Sequence, residues 1–89
     1  MDRGEVPNRT VTIMGEVRTP GTLPFSDSLT PLRAVAAAGG FSDFADPRKS
    51  KLVRNDKEQK LDLSKATAAD ATLKLLPGDL LIIGARGWR

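Results

Sequence analysis

The side chains best suited to acid–base or metal chemistry here are six aspartates, Asp43, Asp46, Asp56, Asp62, Asp70 and Asp79. A pair of carboxylates flanking a glycosidic bond is the machinery of a glycosidase. Carboxylates alternating around a glycine make a calcium loop. The spacing supports neither, because nothing brings two of the six together and none alternate about a glycine. The chain also has no histidine and no cysteine. That removes the usual general base near neutral pH, the imidazole and thiolate metal ligands, and the thiol nucleophile. No catalytic residue, metal site or cofactor is expected, and the chain reads as a binding module, not an enzyme.

The cations are the second resource. Fourteen lysines and arginines stand against eleven acidic residues, for a net charge of +3 and a pI near 9.7. The surplus is concentrated in Arg48, Lys49, Lys51, Arg54, Lys57 and Lys60. Such a stripe can follow a phosphate backbone or an anionic polymer, and it can also shield an edge strand from unwanted pairing. Edge protection is the preferred reading. Nucleic acid is disfavoured as a partner, because the aromatic residues that single-strand binders interleave with their cations are missing. If a glycan is contacted, the candidate residues are Arg18, Arg33, Arg48, Lys51 and Arg54, with Trp88 as an aromatic platform. Trp88 has an equal claim as a residue that packs on the sheet or on a neighbouring domain. Tyrosine is absent, and Phe25, Phe41 and Phe44 are expected in the core.

The elements that must position these residues follow from periodicity. Val11, Ile13 and Val17 alternate with Thr12, Met14, Glu16 and Arg18, which predicts a first strand over Thr10 to Arg18 with one face buried. Gly15 in its middle predicts a bulge or the close approach of another element. Pro20 and Gly21 fit the two central positions of a type II turn into a short second strand, Thr22 to Phe25, which Pro24 confines to an edge. Thr30 as cap, Pro31 at the first helical position and Gly39 as stop frame a helix over residues 31–38, with Leu32, Val35 and Ala36 on its inner face. A third strand is expected at Lys51 to Arg54, a loop at Asn55 to Gln59, and a fourth strand at Lys60 to Leu63. Ser64 to Asp70 allows one helical turn. Pro77-Gly78-Asp79 forms a second Pro-Gly turn, and Leu80-Leu81-Ile82-Ile83 reads as a central strand covered on both faces.

With 89 residues the chain is one small domain. Residues 1–8 are expected to be a flexible tail, 9–84 the folded unit and 85–89 a C-terminal tail. The fold class is α+β. If the last strand lies parallel to the first, the order gives a β-grasp, a mixed sheet of about five strands with one main helix packed across it. No apolar run nears the roughly 20 residues of a membrane helix, so this segment is not expected to insert into a membrane. The residues after Met1 do not read as a signal peptide.

Three segments in order, Gly15-Glu16-Val17-Arg18-Thr19-Pro20-Gly21-Thr22, Leu32 through Phe41, and Leu76-Pro77-Gly78-Asp79-Leu80-Leu81-Ile82, resemble the soluble-ligand-binding β-grasp (SLBB) domain of outer-membrane polysaccharide export proteins. The resemblance rests on Gly15, Pro20, Gly21, Gly39, Gly40, Pro77 and Gly78, whose own chemistry is that of scaffold. It implies a non-catalytic periplasmic module of a capsule or exopolysaccharide exporter. The implied partners are the polysaccharide and other domains or copies of the parent, which forms rings. The chain lacks the separate export domain and the lipid-accepting cysteine of a complete exporter, so it reads as one domain of a longer parent. The alternative is a β-grasp module that binds a small ligand such as cobalamin, or one that sits in a quinone-reducing complex.

Overall fold

The computed structural model describes residues 9–87. In chain order the elements are β1 (Thr10–Gly15), β2 (Gly21–Pro24), α1 (Pro31–Ala37), a 3-10 turn (Pro47–Lys49), β3 (Ser50–Arg54), β4 (Lys57–Leu61), α2 (Ala69–Thr72) and β5 (Leu80–Ile83). The five strands make one mixed sheet in the order β2-β1-β5-β3-β4. β5 runs parallel to β1, with Ile13 opposite Leu81, and antiparallel to β3, with Leu52 opposite Leu81. This is a β-grasp-like α+β fold, and the apolar run Leu80–Ile83 takes its central position.

Alternation along the strands sends Val11, Ile13, Leu52, Leu61, Leu81 and Ile83 to one face, where each is almost wholly buried. Burying aliphatic side chains of this size contributes about 1.5–3 kcal/mol apiece. Helix α1 closes that face with Ala34, Val35 and Ala38, and Leu75 joins from the chain leading into β5. The inner stripe of α1 is thus Pro31, Ala34, Val35 and Ala38, while Ala36, expected inside, is exposed. The small side chains of Ala34 and Ala38 favour close packing of the helix on the sheet. The Thr30 hydroxyl accepts from the Arg33 amide, and the helix ends as Gly39 and Gly40 donate to the carbonyls of Ala36 and Val35.

The opposite face of the sheet is not covered by a second layer among the described residues. Leu80 and Ile82 are half-buried there and Met14 is 46% exposed, so β5 is central without being sandwiched. A strand flanked on both sides draws enough cover from its neighbours' side chains to carry a continuous apolar run.

Two connections differ from expectation. The first strand stops at Gly15, not Arg18, and Pro20-Gly21 is not a turn: Gly21 already pairs with Ile13 as the first residue of β2. Gly15 sits at φ +91°, where a Cβ would lie 2.2 Å from the Ile83 carbonyl oxygen, so close approach by β5 turns the chain out of the sheet. The following residues pair with the exit of α1, as Arg18 and Thr19 donate to Gly40 and Ala38, and Ser42 donates to Glu16. Between β3 and β4, the five-residue loop expected at Asn55 to Gln59 is a two-residue turn. Asn55 and Asp56 both adopt positive φ, 54° and 64°, so Arg54 pairs directly with Lys57. Asn and Asp tolerate that left-handed conformation, which suits the twist of a hairpin.

The folded unit also runs past Gly84. Ala85 pairs with Ala45, and the Arg86 amide donates to Phe44. β4, an edge strand, carries Lys57 and Lys60, in keeping with the protective reading of the basic stripe.

Candidate ligand-binding groove

The cations singled out from the sequence are dispersed over the fold, and most already have partners. Arg18 lies 3.5 Å from Asp43, Arg48 lies 3.5 Å from Asp46, and Lys51 on the open sheet face lies 3.6 Å from Glu58. Arg54 reaches from β3 to the turn before β5. Its Nε and Nη2 donate to the two Asp79 carboxylate oxygens at 2.9 and 2.6 Å, and Nη2 also donates to the Lys74 carbonyl. Asp79 is 3% exposed and also accepts from the Leu76 amide at 2.8 Å. The hydrogen bond to Asp79 holds the Arg54 guanidinium above its ordinary pKa, against the opposing effect of partial burial. Arg54 is therefore committed to the fold. Trp88 lies outside the described residues.

Arg33 differs from these four: among the described residues it has no ion-pair partner. It lines an open groove of about 720 Å³ between α1 and the α2 region. Leu32, Ala36 and Ala71 give the groove an apolar lining, and Lys74 adds a second cation without a carboxylate partner among the described residues. Asp27 and Ser28, from the loop before α1, join Thr30 and Thr72 in the polar lining. Two cations and one carboxylate are thus among the described residues that line one groove. A hydrogen bond from the Leu75 amide to the Leu29 carbonyl fixes the two walls relative to each other.

Sequence reasoning found Arg33 and missed Lys74. The signal for Lys74 was present, because Leu73 and Leu75 flank it and alternate to the inside. Their distance in sequence hid the pairing, since the two cations share a groove only once α2 lies beside α1. The role of Asp79 was also missed, as a single aspartate after Pro-Gly carries no sign of a partner 25 residues away.

Phe41 and Phe25 are half-buried against the core, as expected. Phe44 is not: it is 67% exposed. Its loop is pinned on both sides, by the Asp46 amide on Gly84 and by Arg86 on the Asp43 and Phe44 carbonyls, so the ring is held outward.

The groove can bind by charge, hydrogen bonding and apolar contact, and among the described residues no cluster of acidic side chains could hold a metal ion. The model of one protein family, the SLBB domain, matches residues 9–83. No curated protein matches the chain with significance. Its mixed five-stranded sheet, its helix across one face and this match over nearly its whole length make the chain a member of the SLBB domain family, a ligand-binding module.

Proposed function

We propose that this domain is a non-catalytic module of a polysaccharide export protein, acting in the periplasm as part of an outer-membrane-associated assembly. The observation that carries the proposal is the ordered set of three motifs, from Gly15 through Ile82, inside one SLBB match. Composition supports binding without catalysis, since a chain without histidine or cysteine lacks the commonest catalytic side chains. The groove between α1 and α2 offers a surface for glycan. The exposed Phe44, on a loop tied at both ends, offers an aromatic anchor for contact with other domains or copies of the parent.

Amide chemical-shift mapping during titration with oligosaccharides tests the glycan contact. Shifts confined to residues around the groove are expected; an unchanged spectrum at millimolar ligand removes this part of the proposal. For assembly, the parent protein carrying Phe44→Asp should form fewer or smaller oligomers in detergent than the unaltered parent. A parent that is monomeric under conditions preserving related assemblies contradicts the ring role outright.

A further inference from the structure

We infer that the groove between α1 and α2 selects an anionic ligand, with Arg33 and Lys74 sharing its negative group; the inference rests on the reading of the domain as a glycan-binding module. Four of the five described cations considered above are neutralised by carboxylates of their own chain. Arg33 is the exception, and the groove it lines holds Lys74, which also lacks a carboxylate partner among the described residues. Because both cations line one groove, an anion bound there can draw on both. Asp27, the only carboxylate among the described lining residues, neutralises at most one of them.

The rest of the lining narrows the ligand class. Leu32, Ala36 and Ala71 present short aliphatic side chains, so a ring can lie against them by its apolar face. Among the described residues no aromatic side chain lines the groove to provide stacking energy. The charged group therefore adds affinity that a neutral sugar cannot draw on. A saccharide bearing a carboxylate, of the uronic-acid type, meets both conditions. Arg33 supplies a planar fork that matches a carboxylate, and Lys74 supplies a mobile point charge.

The experiment compares trigalacturonate with a neutral galactose trisaccharide, and adds citrate as an anion without a sugar. Amide shifts and dissociation constants are measured for the unaltered protein and for Arg33→Gln, Lys74→Gln and Lys57→Gln. The last removes the same charge from the β4 edge. Trigalacturonate is expected to shift groove amides, with binding weakened about three- to tenfold by either groove substitution, as for charge-assisted contacts at a partly exposed site. Lys57→Gln should leave binding unchanged, and added salt should weaken it. Equal groove affinity for the neutral trisaccharide overturns the anion selectivity and leaves the glycan reading intact. Groove binding of citrate with neither saccharide bound supports the anion site and overturns the glycan reading. Shifts confined to the β4 edge, a Lys57→Gln effect equal to that of the groove substitutions, or no binding by any probe, overturns the assignment of the site.

Discussion

Pro20-Gly21 and Pro77-Gly78 look alike in sequence and do different work in the fold. Pro77-Gly78 is a tight turn: Gly78 is at φ +90°, the Asp79 amide donates to the Leu76 carbonyl, and β5 begins immediately afterwards. The turn is clamped by the Asp79 carboxylate, held by Arg54 and by the Leu76 amide. Pro20-Gly21 turns nothing. The change of direction happens earlier, at Gly15, and the connection is held by main-chain bonds to the exit of α1. A dipeptide sets local options, and the choice falls to whichever hydrogen-bonding partner lies nearest. Pro77-Gly78 is closed by a bond within the turn and tied by the Gly78 amide to the Thr10 carbonyl, whereas Pro20-Gly21 leads into strand pairing with Ile13 after Arg18 and Thr19 have bonded to the helix end about twenty residues away in sequence.

The sharpest way to break this comparison is Gly15→Ala. A Cβ there collides with β5 main chain as well as demanding a strained φ, so a loss of about 3 kcal/mol or more is expected in urea unfolding. A loss below about 1 kcal/mol would show that the loop, not β5, sets the position. Next comes Arg54→Met, which leaves the buried Asp79 without its cation. Arg54 is 34% exposed and water can replace part of its role, so the expected loss is about 2 kcal/mol, below that for a fully buried pair. A neutral result would mean that the Leu76 amide alone holds the turn. Gly78→Ala should cost only about 1–2 kcal/mol, because the space around it is open and only the φ of +90° opposes a side chain. Equal losses for the alanine variants at Gly15 and Gly78 would erase the distinction between the two connections.

The smallest effect concerns a carboxylate that holds a turn at the surface. Asp62 accepts from the Ser64 amide and hydroxyl, which keep its pKa below the ordinary aspartate value. A depressed folded-state pKa means a contribution that is complete above the unfolded value and lost as pH falls through the folded one. Carboxyl-carbon NMR should therefore place the Asp62 midpoint below the ordinary value, and Ser64→Ala should move it upward. An unmoved midpoint in that variant would assign the depression to the nearby cations Arg48 and Lys65.

Much of the scaffold was legible from residues 10–83. The helix frame of Thr30, Pro31 and Gly39, the edge position of the strand holding Pro24, and the central position of Leu80–Ile83 all follow from local chemistry and pattern. The two-residue turn at Asn55-Asp56 was legible in principle but was outweighed by the polarity of Lys57, Glu58 and Gln59, which read as loop and are in fact an exposed edge strand. The outward Phe44 was not legible. Its orientation depends on a hydrogen bond from the Asp46 amide to the Gly84 carbonyl and on bonds donated by Arg86, both about forty residues further along the chain.

The sequence alone determined the order of the main helix and the five strands, that histidine and cysteine chemistry is absent, and where the cations fall along the chain. Those properties depend on a residue's own side chain and its near neighbours. Tertiary structure decided which of the cations are already neutralised. Asp43 beside Arg18, Asp79 beneath Arg54 and Lys74 across from Arg33 are brought together by strand order and helix packing. Charge interaction depends on distance in space, to which separation along the chain is no guide.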